Sequence, residues 1–277
     1  MTGKLVVVAT PIGNLGDLSP RAIVALASAD VVACEDTRHS RKLFSASEVA
    51  APKLIAVHGD NEEQRCAEIV DLIAEGNIVA LITDAGTPGV SDPGRRVVEA
   101  VAAAGLTVES IPGPSAVTTA LAASGFAADR FVFEGFLPRK GTDRKARLAA
   151  VAAEERTVVI YEAPKRVGAT LRDLAAVCGV DRAVVVAREL TKIHEEIWHG
   201  TVADAAARFA ETRGELVLVL DGAPAAPSDV DDATIVAALT EAIANGASTR
   251  TAADDVAADL GIPRNRVYKL ALRIGAS

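Results

Sequence analysis

The first hundred residues alternate short apolar runs with stretches of helical periodicity, and this alternation limits most strongly how the chain can fold. Residues 5–9 and 78–82 are continuous apolar runs, as in parallel strands buried on both faces. Residues 62–75, between two such runs, carry apolar side chains on one helical face. Repeated strand and helix units favour a parallel sheet covered by helices on both faces. We therefore predict an α/β fold.

The later strand-like runs follow one another more closely, which predicts a second sheet that is partly antiparallel. The segment Pro112-Gly113-Pro114 is expected to join the two sheets. Alanine and proline in residues 223–232 are typical of a linker, and three short helices are predicted beyond it. The expected domains are two α/β domains, residues 1–112 and 113–226, and a small C-terminal helical domain, residues 227–277.

Composition excludes several classes of protein. A hydrophobic content of 50% supports full cores, while a net charge of −8 argues against nucleic-acid binding by bulk charge. The three cysteines are far apart in sequence, so neither a disulfide framework nor a zinc site is predicted, and no metal is expected. The early apolar run, residues 5–9, is too short for a membrane span or for the apolar core of a signal peptide. These features predict a soluble cytoplasmic protein.

The stretch LITDAGTPGVSDPG leaves a buried strand and turns abruptly polar. Asp84, Gly86 and Thr87 lie at the carboxyl end of that strand, where open α/β sheets bind ligands. Glycine there allows positive φ and close approach of a ligand to the backbone. Asp92 is positioned to cap the helix that follows Pro93. An ordinary strand-to-helix turn explains the same residues equally well.

Two further loops are candidates for chemistry. The sequence EDTRHS groups acidic residues, including Asp36, with Arg38 and His39 at a strand end, although a solvated turn has the same composition. In PGPSA, Ser115 begins an apolar helix at Ala116, whose free amide groups favour an anion.

Basic residues are concentrated in two places. Residues 137–147 form a predicted loop with a cationic cluster: Arg139, Lys140, Arg144, Lys145 and Arg147. A mobile solvated loop and a polyanion contact both remain open for it. The final helices, with Arg264, Arg266, Lys269 and Arg273, resemble a helix-turn-helix, but a plain helical cap fits equally because nearby aspartates offset the charge.

The ordered motifs TPIGNLGD, EDTRHS, HGDNE, DAGTPGVSDPG, PGPSA, EGFLPRKG, YEAPKR, ARELTK and GELVLVLDG resemble the class III S-adenosylmethionine-dependent methyltransferases of the tetrapyrrole-methylase fold. The set is similar to the branch that methylates the ribose 2'-hydroxyl of a cytidine in 16S ribosomal RNA. The similarity spans residues 5–222. It implies two α/β domains with S-adenosylmethionine between them, a substrate in the small ribosomal subunit, and a homodimer.

The resemblance also implies roles for individual residues. The residues expected to bind the cofactor are Pro11, Asp84, Gly86, Thr87, Ser115, Ala116, Tyr161 and Glu162. Those expected to grip the RNA backbone are Arg38, His39, Arg139, Lys140, Arg144 and Lys145. Asp36 and Asp92 are candidates for the carboxylate that assists removal of the ribose proton.

Two other functions remain open at this point. A small-molecule methyltransferase of the same class, acting on a tetrapyrrole, would not need the basic stretch or the tail. A ligand-sensing regulator would use the helix-turn-helix-like tail to bind duplex DNA, without turnover.

The tail, residues 227–277, is expected to dock the ribosomal substrate without contributing to the catalytic unit.

Overall fold

The computed structural model describes residues 3–59, 61–224 and 230–274. Contacts divide the chain into two compact units, Met1–Ala223 and Pro224–Ser277. The first unit contains two β-sheets and the second contains helices. The predicted α/β fold with a helical C-terminal region is confirmed, whereas the boundary after residue 112 stays a prediction.

The first sheet is entirely parallel, as the alternating sequence predicted. Its strand order is β3-β2-β4-β1-β5. The strands are β1 (Lys4–Val8), β2 (Val31–Cys34), β3 (Lys53–Ala56), β4 (Ile78–Leu81) and β5 (Thr107–Ile111). After neighbouring strands β1 and β4 the chain runs towards opposite edges of the sheet, since β1 connects to β2 and β4 connects to β5. This reversal creates a crevice at their carboxyl ends, where α/β sheets bind ligands.

Helices cover both faces of this sheet, and alternate residues of β1 account for the two cores. Leu5 and Val7 pack on one face, and Val6 and Val8 pack on the other. The helices are α1 (Pro20–Ala27), α2 (Thr37–Ala46), α3 (Glu62–Ala74) and α4 (Arg95–Ala103). Helices α3 and α4 contribute to the first core, and α1 and α2 to the second.

The second sheet is mixed, also as predicted. Its order is β6-β7-β10-β8-β9, and only the β6–β7 pair is parallel. The strands are β6 (Phe131–Phe136), β7 (Thr157–Glu162), β8 (Ala183–Arg188), β9 (Glu196–Thr201) and β10 (Leu216–Leu220). Uniformly buried β10 forms its centre.

Four helices complete the first unit: α5 (Ala116–Ser124), α6 (Gly141–Ala153), α7 (Pro164–Cys178) and α8 (Val202–Arg208). Helices α6, α7 and α8 share a core with one face of the second sheet, while α5 packs on the other face. Ile12, from the loop after β1, belongs to the α5 cluster. This apolar contact brings the first loop of the N-terminal sheet against the second sheet.

Two local predictions are wrong. Asp92 does not cap α4, because Gly94 occupies the N-cap with φ +127° and the Glu62 carboxylate accepts from the Gly94 and Arg96 amides at 2.9 and 3.0 Å. The basic stretch 137–147 is not one loop, since α6 begins at Gly141. At the start of α4 the distant Glu62 takes the place of a local cap. In residues 137–147 the helix α6 takes the place of the second part of the predicted loop.

The second unit consists of α9 (Asp232–Ala244), α10 (Thr249–Asp259) and α11 (Arg264–Ile274) around its own apolar core. A four-residue turn, residues 260–263, joins α10 to α11, with Gly261 at φ +63°. Arg264 pairs with Asp254 and Arg266 pairs with Asp232. Much of the positive charge predicted for this surface is therefore engaged with the unit's own acids.

Candidate active site

The loops after β1 and β4 meet at the crevice of the first sheet. Thr10 and Gly86 exchange backbone hydrogen bonds of 2.9 and 3.1 Å in an isolated antiparallel bridge. Gly86 adopts φ +83°, a conformation that favours glycine. The Thr87 hydroxyl donates to the Pro114 carbonyl oxygen at 3.3 Å, which ties the loop to the segment joining the two sheets.

A cavity of about 290 Å³ opens between the two sheets within the first unit. Its volume is near the lower end of the roughly 300–1,000 Å³ typical of small-molecule sites. The N-terminal part of the lining is Ile12, Ala85, Gly86, Thr87, Val90, Ser91, Asp92, Ser115 and Ala116. The remainder is Phe136, Tyr161, Glu162, Ala163, Pro164, Ala187, Leu190, Glu215, Leu216 and Val217. The walls are mostly apolar and carry few ionisable groups.

Asp92 is the unusual carboxylate of this cavity. Burial, together with the negative charges of Glu35, Asp84 and Glu215, raises its pKa to about 6. Because Gly94 and Glu62 complete the helix start, Asp92 is not committed to capping. A carboxylate with a pKa this near neutrality is suited to exchange protons with a substrate.

Asp36, the other predicted base, has a different environment. It caps α2 by accepting from the Arg38 amide at 2.7 Å, and it forms an ion pair with the exposed Arg38 guanidinium at 2.9 Å. Hydrogen bonds from Arg38 hold the pKa of Asp36 well below its usual range. The Asp36 amide in turn donates to Asp84 at 3.2 Å. These contacts favour a structural role for Asp36 at the strand end.

Aromatic rings line the side of the cavity formed by the second sheet. The Tyr161 ring meets Phe133 and Phe136 edge to face, with centroids 5.0 and 5.6 Å apart. Burial, together with the charge of Asp92, raises the pKa of Tyr161 to about 12. Tyr161 is therefore neutral at physiological pH. Such rings can face a cation favourably.

Glu162 ends β7 as a buried carboxylate that is fully engaged. It accepts from the Ala163 amide at 2.8 Å and from the Thr170 hydroxyl at 2.6 Å, and it pairs with Arg166 at 3.1 Å. Arg166 also donates to the Leu137 carbonyl oxygen at 2.6 Å. The carboxylate thus anchors the cavity wall to the segment that follows β6.

Arg144 has a similar anchoring role, which differs from the predicted RNA contact. Its side chain is only 11% exposed. It donates to Asp173 at 2.7 Å, to the Thr170 hydroxyl at 3.1 Å and to the Pro138 carbonyl oxygen at 2.9 Å. Arg139, Lys140 and Lys145 are exposed, as are Arg38 and His39. Those five remain exposed towards a polyanion, with the Arg38 guanidinium already paired to Asp36, whereas the Arg144 guanidinium is committed internally.

The structure brings together most residues predicted to bind the cofactor. Those that line the cavity are Gly86, Thr87, Ser115, Ala116, Tyr161 and Glu162, with Asp92 beside them. Pro11 and Asp84 do not line it, although Asp84 influences Asp92 electrostatically. Sequence reasoning missed the β10 contribution, Glu215 to Val217, even though the motif GELVLVLDG contains it. Residue spacing alone does not reveal which end of an antiparallel strand faces a cavity.

Residues 4–206 match the family model described as Tetrapyrrole (Corrin/Porphyrin) Methylases. The chain belongs to the tetrapyrrole methylase family. This confirms the resemblance drawn from the motifs. Among curated members, the Ribosomal RNA small subunit methyltransferase I of Synechocystis sp. is 43% identical over 277 residues, covering 99% of both chains. The protein of that name from Haemophilus influenzae is 41% identical over 276 residues, covering 98% of this chain and 97% of its own.

Solved structures of tetrapyrrole methylases share the fold. The uroporphyrin-III-C-methyltransferase from Thermus thermophilus aligns with a TM-score of 0.55 and 21% identity, over 79% of this chain and 94% of its own. The methyltransferase CobJ aligns with a TM-score of 0.61 and 23% identity, over 80% of this chain and 95% of its own. At these identities the likeness establishes the fold alone.

No helix in the described ranges is long and apolar enough to cross a membrane. Among the same residues, no group of three or more histidine, cysteine, aspartate or glutamate side chains could hold a metal ion.

Proposed function

We propose that this protein transfers a methyl group from S-adenosylmethionine to the ribose 2'-hydroxyl of a cytidine in 16S ribosomal RNA. The observation that carries the proposal is the match, at 43% identity over 99% of both chains, to a Ribosomal RNA small subunit methyltransferase I. That match includes the helical tail, which lies beyond the region common to the family model. The site geometry supports methyl transfer.

The cavity residues fit S-adenosylmethionine chemically. Ile12, Val90 and Val217 offer apolar surface to an adenine ring, and Ser115 precedes the amide groups at the start of α5. The ring of Tyr161 and the negative charge of Asp92 both suit a sulfonium cation. When bound, the cofactor supplies an electrophilic methyl group.

The protein's own contribution is to align the acceptor and to take its proton. A ribose hydroxyl is a weak nucleophile until it is deprotonated, and Asp92 is the cavity carboxylate with a pKa raised towards neutrality. Alignment of two bound reactants contributes up to about 7–11 kcal/mol in favourable cases. Asp92 therefore acts as the general base, in a cavity whose walls are mostly aromatic and apolar.

A substrate comparison tests this function. The purified protein is incubated with labelled S-adenosylmethionine and either small ribosomal subunits lacking the modification or uroporphyrinogen. We expect label to enter the RNA of the subunits and not the tetrapyrrole. Labelling of the tetrapyrrole alone would assign the chain to small-molecule methylation instead.

The partners proposed with this activity are the small ribosomal subunit, in the cytoplasm, and a second copy of the chain. We expect no metal to take part, because a carboxylate base and an activated methyl donor can complete methyl transfer. Sedimentation of the purified protein tests the homodimer. A monomer at micromolar concentration would contradict that part of the proposal.

The exposed cations that follow β6 are expected to serve the RNA. Replacing Arg139, Lys140 and Lys145 with alanine should leave cofactor affinity unchanged and make the salt dependence of RNA binding shallower. Each lost phosphate contact reduces the slope by about 0.7 for single strands. Filter binding to subunits at several salt concentrations measures this, and an unaltered slope would contradict it.

The tail is expected to dock the ribosomal particle. Because Met1–Ala223 is a compact unit by itself, truncation after Ala223 should leave cofactor binding intact and raise the KM for subunits. Because Arg264 and Arg266 are already paired with acidic residues of the tail, we expect the KM for subunits to rise only a few-fold. Calorimetry measures the cofactor affinity, and steady-state kinetics measure the KM. Loss of cofactor binding on truncation would make the tail a structural cap.

A further inference from the structure

A second cavity, open to solvent, adjoins the candidate active site. Its volume is about 800 Å³, and Pro164 at the start of α7 lines both cavities. The loop of residues 209–214, between α8 and β10, forms another wall. Glu215, which lines the first cavity, follows this loop directly. The two cavities are therefore neighbours, adjoining at Pro164 and at the end of this loop.

The lining of the second cavity has an excess of positive charge. Its cations are Lys165, Arg188, Arg208 and Arg213, and its carboxylates are Glu196 and Glu211. Arg188 and Arg208 share Glu196, at 3.0 and 2.8 Å. Within the described part of the chain, Lys165 and Arg213 form no ion pair. The lining therefore carries two more cations than carboxylates, in a chain with a net charge of −8.

The walls of this cavity are fixed by packing. The Arg208 guanidinium lies 6.0 Å from the Trp198 ring centroid and 5.7 Å from that of Phe209. Phe209 itself is buried in the core of the second sheet. Gly168 of α7 packs directly against Ala210, because an added Cβ would lie 2.8 Å from the Ala210 carbonyl oxygen. The cations are thus presented on a preformed surface.

We infer that this cavity docks the phosphodiester backbone of the RNA next to the acceptor ribose. The inference rests on the proposed function, since an RNA whose ribose enters the first cavity must place its neighbouring phosphates just outside it. Lysine and arginine side chains bind phosphate through charge and hydrogen bonds, and an open polar groove suits a continuous strand better than a small apolar ligand. Lys165 and Arg213 are the phosphate-binding residues of this site.

The test is a double variant, Lys165→Ala with Arg213→Ala, in the full-length protein. Binding to small subunits is measured by filter binding in the presence of S-adenosylhomocysteine, at several salt concentrations, alongside KM and kcat. We expect roughly tenfold weaker binding, a salt slope shallower by about 1.4 for two lost contacts, and unchanged cofactor affinity. The charge-matched control replaces exposed Arg172 and Lys53, which line neither cavity, and should behave as wild type.

The outcomes separate this inference from the proposed function. Unchanged affinity and slope in the folded double variant would overturn the docking site even if the wild type methylates subunits. Failure of the wild type to methylate any RNA would overturn the proposed function, while the binding measurement would still decide whether these two cations hold the particle. An equal loss in the control variant would overturn the site as well, because the effect would then be one of net charge.

Discussion

Replacement of Asp92 by asparagine is expected to lower kcat by about 10²–10⁴-fold while leaving cofactor affinity within a few-fold of wild type. Asparagine keeps the size of the side chain but cannot accept the ribose proton. Single-turnover methylation of subunits measures the chemical step. The matched control is Asp36→Asn, which preserves a helix cap at α2 and should retain most of the activity. Equal losses in the two variants would contradict the assignment.

The pH dependence of the rate is a second test of Asp92 as the general base. Asp92 must be ionised to act, so rates at subsaturating substrate should fall as the pH drops through about 6, its raised pKa. Burial and the charge of Glu35 are the largest causes of that rise. Glu35→Gln should therefore move the acid limb to lower pH. An acid limb that does not move in this variant would argue against Asp92 as the titrating group.

Gly86→Val is expected to weaken cofactor binding by at least tenfold. Valine is strained at φ +83° by about 1–3 kcal/mol, and its Cβ would lie 3.4 Å from Ile12 Cγ2 at the cavity wall. Its further methyl groups would narrow the cavity. Isothermal titration calorimetry with S-adenosylmethionine measures the change.

Gly105 provides the control for backbone strain. It has φ +70° and open space around its absent side chain, and it does not line the cavity. Gly105→Val should lose comparable stability in thermal unfolding but keep normal cofactor affinity. A Gly86→Val protein that is folded and binds the cofactor normally would remove this loop from the site.

Sequence patterns predicted the sheets well because apolar runs such as Val31–Cys34 and Leu216–Leu220 are bounded on both sides by acidic residues. They predicted the capping role of Asp92 wrongly because Glu62, the partner that caps α4, lies 32 residues before the N-cap Gly94 in the chain. No local signal encodes such a contact. The same limit explains Arg144, whose acceptors lie on α7 and at Pro138.

The candidate site was predictable where it depends on loop chemistry. Gly86 and Thr87 follow a buried strand, and Ser115 follows a proline-rich joint, so their meeting at a strand end could be expected. The choice between Asp36 and Asp92 could not be made from sequence. It depends on which carboxylate is paired with an arginine and which is buried among other acids, and both are tertiary properties.

The most direct measurement is to map the methylated nucleotide. Small subunits lacking the modification are incubated with labelled S-adenosylmethionine and the protein, and the 16S ribosomal RNA is digested and analysed by mass spectrometry. Within the time that the wild type needs to complete labelling, we expect one labelled cytidine that carries the methyl group on its ribose 2'-oxygen, and almost no label with the Asp92→Asn protein. A methyl group on a base, or full labelling by the Asp92→Asn protein in that time, would contradict the proposed reaction.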